Sequence, residues 1–169
     1  MIQLVINTHQ NVRIRKFGDV PVWHSFFDSF REYYEPYYSE WVAKKRLDPV
    51  YIVEERGNPI AFMKLKNEYE NEDYSDISPT FEPDKRMKIS SFKVERGNYG
   101  LSIQLMDMAI SEAIFNNMSE VYGTIPKECH YKYDLINFLH RYGFKKHGIK
   151  ESHGLVEEVY VKRLKESKQ

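Results

Sequence analysis

The spacing of apolar residues along the chain predicts short strands that alternate with amphipathic helices. In the first quarter, aromatic residues stand at positions 23, 26, 27, 30, 33, 34, 37, 38 and 41, a spacing typical of helices. Pro36 predicts that this aromatic segment, Trp23 to Trp41, forms two short helices. We interpret its stripe as core-facing, with the alternative that it partly lines a substrate pocket.

A hairpin and a long loop are predicted next. Two strand-like runs cover residues 51–54 and 60–65, and Gly57 and Asn58 between them can adopt the positive φ angles of a hairpin turn. Residues 67–85 are acidic, carry tyrosines and contain two prolines. We interpret this stretch as a long surface excursion, and such excursions are often functional.

The centre of the chain predicts a strand, a glycine turn and a helix. In the strand 88–94, Ile89 and Phe92 are three apart whereas Phe92 and Val94 are two apart, so the apolar parity changes within it. A β-bulge gives this pattern, and so does a strand buried on both faces. The turn 96–100 leads into a helix whose predicted apolar stripe is Ile103, Met106, Ile110, Ala113 and Ile114.

The last third predicts a strand at 121–125, a helix at 134–142 ended by Gly143, and a strand at 155–164. The helix is expected to bury Leu135, Phe138, Leu139 and Tyr142 on one face. A strand–turn–helix–strand unit implies a parallel strand pair and a right-handed crossover. The predicted fold class is therefore α/β (α+β).

Composition narrows the class of protein. The length of 169 residues predicts one domain, 1–169, and 25 basic residues balance 25 acidic ones, which argues against a strongly basic nucleic-acid surface. The sequence has neither a secretory signal nor a run approaching the ~18 apolar residues of a membrane span, so we expect a cytoplasmic protein with no membrane partner. Cys129 stands alone, and the six histidines lack HxxxH or HxH spacing, so neither a disulfide nor a metal site is expected.

The junction between the central strand and its helix is the strongest candidate for chemistry. Backbone N–H groups of a glycine turn and of a helix start together form a natural anion site. Arg96 at the start of the turn adds a fixed positive charge suited to phosphate.

The residues around this junction resemble a known motif. The stretch MKISSFKVERGNYGLSIQLMDMAISEAIFNN is similar to the central motif of the GNAT N-acetyltransferase superfamily, which has a bulged strand, a Q/R-x-x-G-x-G/A pyrophosphate loop and a helix. SEVYGTIP and LINFLHRYGFKK resemble the family's fifth strand and following helix, with Gly143-Phe144 at the family's Gly-Phe pair. YIVEERGNPIAFMKLK resembles the second and third strands, and VEEVYVKRL the last strand. The resemblance covers residues 37–164 in the family's order.

The resemblance implies a fold and a cofactor. It implies a mostly antiparallel mixed sheet with a central parallel pair splayed at a β-bulge, flanked by helices. It implies acetyl-CoA as co-substrate, with the pantetheine arm on the strand backbone and the pyrophosphate on the loop amides. The implied cofactor-binding residues are Phe92, Lys93, Val94, Arg96, Gly97, Asn98, Tyr99, Gly100, Leu101 and Ser102. An amine acceptor would then attack the thioester carbonyl directly in a ternary complex.

Two departures from the family pattern concern the loop and the general acid. If Arg96 stands at the Q/R position of the family loop, the two glycine positions of that loop fall on Tyr99 and Leu101. If Gly100 stands instead at the first glycine position, Gly97 falls at the Q/R position. Counted back from Gly143, the tyrosine that many members use as general acid falls on Leu139. The asparagine common near the start of that helix falls on Lys132.

Replacements for the missing acid stand just before the helix. Tyr131 and His130 are the candidate catalytic residues, with Cys129 and Tyr133 beside them. A tyrosine could protonate the leaving thiolate and a histidine could relay a proton. The alternatives are that these side chains are structural and that positioning supplies most of the rate. Glu95 and the acidic excursion offer bases, and nothing selects one.

Two functions follow as hypotheses. The first is an N-acetyltransferase that moves an acetyl group from acetyl-CoA to an amine. The second is a catalytically weak or silent acyl-CoA-binding module of the same fold that acts through a protein or RNA partner. The acceptor stays open between a small amine, a protein amine and an aminoacyl-tRNA, and a homodimer is also left open.

Overall fold

The computed structural model describes residues 12–165, which contain eight strands and four α-helices. The strands are β1 (Arg13–Lys16), β2 (Pro49–Glu55), β3 (Asn58–Glu68), β4 (Ile77–Ser78), β5 (Arg86–Val94), β6 (Glu120–Pro126), β7 (Lys145–Ser152) and β8 (Leu155–Arg163). The helices are α1 (Asp28–Tyr34), α2 (Tyr38–Lys45), α3 (Tyr99–Phe115) and α4 (Lys132–Arg141). The predicted α/β class, with a mixed sheet and a parallel pair, is confirmed.

The chain divides into two compact units, and both are discontinuous in sequence. Unit 1 comprises the chain up to Lys64 together with Ser91–Leu105, and unit 2 comprises Leu65–Ser90 and the chain from Met106 onward. Strands β3 and β5 and helix α3 each contribute to both units. The single domain 1–169 stays a prediction.

The sheet of unit 1 contains the predicted hairpin. β2 pairs antiparallel with β1 and with β3, and Glu55 lies opposite Asn58 across a two-residue turn. Arg56 and Gly57 adopt positive φ angles of 52° and 79°, which a tight turn of the primed kind requires at both central positions. The turn prediction was therefore wrong by one residue, because Asn58 is already the first residue of β3.

Aromatic packing forms the core of unit 1. The segment Trp23 to Trp41 forms α1 and α2 with Pro36 between them, as predicted. The rings of Phe27 and Phe62 meet edge to face at 5.2 Å, and Phe17 packs against Trp41 at 5.0 Å. The predicted core-facing role of the segment is confirmed for its buried members Phe26, Phe27 and Tyr38.

Unit 2 is organised by the parallel pair. Arg86 of β5 lies opposite Glu120 of β6, and the register continues to Ile89 opposite Gly123. β6 pairs antiparallel with β8, β8 with β7, and β7 with β4. Because a parallel pair needs a crossover, α3 connects β5 to β6.

The sequence analysis missed β7, which forms a hairpin with β8. Its sequence, KKHGIKES, is mostly polar and lacks an apolar alternation that would indicate a strand. His153 and Gly154 form the turn with φ angles of 50° and 77°. A Cβ atom at Gly148 would lie 2.1 Å from the carbonyl oxygen of Ser78, so the absence of a side chain lets β4 approach β7.

Helix α3 buries a different stripe from the one predicted. Met106 and Ala113 are buried as expected, but Ile103 and Ile114 are exposed. The buried positions are Leu101, Leu105, Met106, Ala109 and Ala113. Leucine, isoleucine and methionine occur on most sides of this helix, so apolar spacing alone did not identify the buried side.

Helix α4 agrees with its prediction in part. Phe138 and Leu139 are buried as expected, whereas Leu135 and Tyr142 are only partly buried. Gly143 ends the helix as predicted, with a φ of 83°. The amide of Phe144 donates to the carbonyl of Leu139 and that of Gly143 to His140, the pattern of a Schellman cap.

The predicted surface excursion has a core of its own. Tyr74, Ile77 and Phe81 are buried in a cluster with Tyr122 and Val159 of the sheet. The excursion begins after Glu68, because β3 extends to that residue. It is therefore a packed segment rather than a loose loop.

A buried carboxylate connects the excursion to the sheet. Glu68 is 3% exposed, and its Oε1 atom accepts hydrogen bonds from the hydroxyls of Tyr122 at 2.5 Å and Tyr74 at 3.3 Å. Lys66 donates to Oε2 at 3.0 Å. Burial and the neighbouring Glu68 raise the pKa of Tyr74 to about 12, and they raise that of Tyr122 as well.

Among the described residues, no helix is long and apolar enough to cross a membrane. In the same part of the chain, no group of three or more His, Cys, Asp or Glu side chains is arranged to hold a metal ion.

Tyr122→Phe tests the buried carboxylate. The change keeps the ring and its packing but removes a hydrogen bond to a buried charge, so we expect the free energy of unfolding to fall by about 1.5–3 kcal/mol. Denaturant titration measures it. Tyr133→Phe, at a tyrosine that is 79% exposed, is the control and should change little. Equal stability of the two variants would contradict the role given to Tyr122.

Candidate functional site

The loop after β5 has the local geometry expected of the glycine turn. The amide of Glu95 donates to the carbonyl of Ile60 at 2.9 Å, which joins the end of β5 to β3 within unit 1. Gly97 has a φ of 86°, a conformation that favours glycine. The carbonyl of Asn98 accepts from the amides of Leu101 and Ser102, so the helix begins here. The turn is shorter than predicted, because Tyr99 and Gly100 already belong to α3.

The start of α3 is suited to an anion. The helix has 17 residues and no acidic residue in its first turn, so its dipole presents positive potential at this end. Arg96 and Gly100 are exposed, and a Cβ atom at Gly100 would meet nothing within 4 Å. The predicted phosphate-binding residues therefore lie together around an accessible helix start.

Lys93 connects the candidate cofactor strand to the aromatic segment. Its Nζ atom donates to the carbonyl of Phe26 and, at 2.8 Å, to the hydroxyl of Ser29. The ammonium also lies 4.9 Å from the ring centre of Phe26 and 5.8 Å from that of Phe30. Burial lowers the pKa of Lys93. Because these contacts engage the side chain, the backbone of Lys93 is the part suited to a ligand.

Ser91, which the sequence analysis did not identify, has an unusual environment. It directly precedes Phe92, and only 6% of its surface is exposed. Its hydroxyl has no hydrogen-bond partner in the described part of the chain. A buried polar group without a partner costs free energy. An unsatisfied hydroxyl beside the predicted pantetheine strand therefore fits a site that a ligand completes.

The candidate catalytic residues lie at the start of α4 in unit 2. Tyr131 is the N-cap residue of α4, its carbonyl accepts from the amide of Leu135 at 3.1 Å, and its side chain is 52% exposed. His130 is exposed and Cys129 is partly buried. Both Tyr131 and His130 are accessible to solvent, and their catalytic roles stay predictions.

The positions of the family's asparagine and tyrosine are occupied here by Lys132 and Leu139, which make structural contacts. Lys132 forms an ion pair with Glu158 at 2.8 Å, and Glu158 also accepts from Lys146 at 3.3 Å. Burial alone would raise the pKa of Glu158, but these hydrogen bonds hold it below its usual value. Leu139 is buried against the core.

Lys88 is a second residue that the sequence analysis did not identify. It is a half-buried lysine of β5, and burial, together with the adjacent Lys150 ammonium, lowers its pKa to about 8. Glu68 and Glu157 lie near enough to oppose the shift. A lysine with this pKa is partly neutral in weakly alkaline solution, where it can accept a proton.

Lys88→Met tests this shift through stability. The pKa of Lys88 is near 10.5 unfolded and about 8 folded, so between these values the unfolded chain binds more protons and Lys88 adds stability as the pH rises. Below pH 8 the charged, half-buried amine is destabilising. We expect Lys88→Met to exceed the parent in unfolding free energy at pH 7, with the difference shrinking from pH 8 to 10.

Denaturant titrations at several pH values measure the difference. Lys127→Met, at an exposed lysine of the same unit, is the control. A difference between Lys88→Met and the parent that does not change with pH would contradict the lowered pKa.

Comparison with solved structures gives matches across the chain. The structure of Arabidopsis thaliana NAA60 in complex with a bisubstrate analogue is 12% identical, with 92% of this chain and 100% of that chain covered and a TM-score of 0.65. Ribosomal-protein-alanine N-acetyltransferase from Brucella melitensis is 16% identical, with 91% of this chain and 99% of that chain covered and a TM-score of 0.60. Arabidopsis thaliana Naa50 in complex with the bisubstrate analogue CoA-Ac-MVNAL is 14% identical, with 90% of this chain and 99% of that chain covered and a TM-score of 0.57.

These matches define the class of fold. The protein has the fold of the GNAT N-acetyltransferases, and the resemblance inferred from the sequence is confirmed in three dimensions. No protein-family model matches the sequence, and no curated protein matches it. At identities of 12–16% the likeness defines the fold only, so any activity has to be inferred from the residues of the site.

Proposed function

We propose that the protein is an N-acetyltransferase that transfers an acetyl group from acetyl-CoA to an amine acceptor. The observation that carries the proposal is the accessible helix start after β5, which stands on a fold shared with structurally similar acetyltransferases. The predicted cofactor-binding residues, which run from Phe92 to Ser102, lie within unit 1.

The residues present suit acetyl-CoA. The backbone of Phe92, Lys93 and Val94 would hold the pantetheine arm, and the loop from Arg96 to Ser102 the pyrophosphate. Gly100 leaves room for phosphate oxygens close to the backbone, and the Arg96 guanidinium supplies a compensating charge. When bound, acetyl-CoA supplies an activated acetyl thioester.

The chain's own task is to hold the acceptor and to assist the proton transfers. The acceptor must lose one proton from its ammonium to solvent before it becomes a nucleophile. Its nitrogen loses a second proton as the amide forms, and this loss balances the proton that the departing thiolate gains. Tyr131 is proposed as the donor to the thiolate, with His130 as an alternative relay. The aromatic segment, which lies in unit 1 with the cofactor loop, is proposed to flank the acceptor.

The acceptor class is open to direct test. The bisubstrate analogue in the Naa50 complex is CoA-Ac-MVNAL, in which MVNAL reads as a peptide sequence. A peptide amino terminus is therefore tested as an acceptor together with small amines and lysine side chains. Release of free thiol reports turnover, and calorimetry reports binding of acetyl-CoA. Binding without turnover on any amine would instead support the silent acyl-CoA-binding module.

Gly100→Val tests the phosphate loop. Because a side chain at this position has free space in the protein alone, the variant should fold normally, and its methyl groups would meet only the ligand. We expect the affinity for CoA to fall about ten-fold, or roughly 1.4 kcal/mol, as measured by calorimetry. Ser111→Val, at an exposed position further along α3, should bind normally. Unchanged affinity in Gly100→Val would place the phosphates elsewhere.

Tyr131→Phe tests the general acid. The ring and the backbone N-cap remain while the hydroxyl is removed, so turnover should fall about 10²-fold with KM and thermal stability nearly unchanged. Tyr133→Phe is the matched control at a more exposed tyrosine. Turnover of Tyr131→Phe within about two-fold of the parent would remove this hydroxyl from the mechanism.

A further inference from the structure

The hydroxyl of Ser91 is buried in the second half of β5. Its Oγ atom has no hydrogen-bond partner among the described residues, and only 6% of the residue is exposed. A serine hydroxyl can rotate to reach any acceptor nearby, so an unpartnered one indicates that the protein offers none within reach. Groups of this kind in native proteins call for an explanation, such as a water, an ion or a ligand.

The position of Ser91 restricts the explanation. It lies in unit 1, directly before the strand backbone proposed to hold the pantetheine arm and five residues before Arg96. The two flanking residues differ from it, since Ser90 and Phe92 are both partly exposed. A ligand group that reaches Ser91 must therefore be small and able to form a hydrogen bond with a hydroxyl.

We propose that the Ser91 hydroxyl donates a hydrogen bond to the thioester carbonyl oxygen of the bound acyl donor. This rests on the proposed function and adds to it a residue that distinguishes the acylated cofactor from free CoA. The thioester carbonyl has no donor group of its own, so it suits a hydroxyl that donates. In the absence of the ligand the hydroxyl stays buried and unsatisfied, and binding of the acyl donor removes that cost.

The proposal predicts two effects of opposite sign for Ser91→Ala. Removal of an unsatisfied hydroxyl should stabilise the protein without ligand, and we expect the melting temperature to rise by about 2–4 °C. Loss of the donor should weaken acetyl-CoA binding about five-fold, while the affinity for free CoA, which lacks the carbonyl, should change less than two-fold. A purely structural serine would not combine a gain in stability with a selective loss of affinity.

The experiment measures melting temperature without ligand, and affinity for acetyl-CoA and for CoA by calorimetry, in the parent, Ser91→Ala and Ser90→Ala. Ser90→Ala is the control at the adjacent, partly exposed serine, and all its values should match the parent. A lower melting temperature for Ser91→Ala would mean that the hydroxyl has an internal partner and would overturn the proposal.

Two further outcomes separate the proposal from the function on which it rests. If the parent binds both ligands and Ser91→Ala loses them equally or not at all, the Ser91 contact is wrong and the proposed function stands. If the parent binds neither ligand, the proposed function fails and the contact fails with it.

Discussion

The parallel pairing of β5 with β6 is the constraint on which the candidate site depends. Parallel strands cannot be joined by a tight turn, so the chain that leaves β5 must cross over before it enters β6. The crossover is α3, and its start follows β5 after the four residues Glu95–Asn98. A strand end and a helix start are thereby joined by a short loop whose Gly97 has a positive φ. The anion-binding potential of this loop follows from the topology.

Three polar groups of low exposure in or beside β5 differ in how the fold satisfies them. Glu68 accepts hydrogen bonds from two tyrosine hydroxyls and a lysine, which attach the excursion to the sheet. Lys88 is half-buried, and burial together with the Lys150 ammonium lowers its pKa to about 8. Ser91 has no partner among the described residues. None of these states could be predicted from the sequence, because each depends on burial by residues far away in the chain.

The elements with strong local signals were predicted, and those without them were not. The Pro36 break, the β2–β3 hairpin and the Gly143 cap each depend on the backbone preferences of one or two residues. β7 was missed because its polar sequence is stabilised by pairing on both sides, with β8 and with β4. The buried side of α3 was assigned wrongly because Ile103 and Leu105 are equally apolar, and only tertiary packing decides which of them is exposed. The glycine loop was predicted because its chemistry is also local.

The general acid is where the family pattern and this chain differ most in physical terms. Leu139, at the place of the usual tyrosine, is buried in the face that attaches α4 to the core. An aliphatic side chain exchanges no proton, so any proton donor at this end of α4 must come from outside that face. Tyr131 lies outside that face, at the N-cap of the helix, and is 52% exposed. A donor on the approach to α4 is compatible with a helix whose inward face serves only stability, and the proposed transfer would then depend more on positioning of the acceptor.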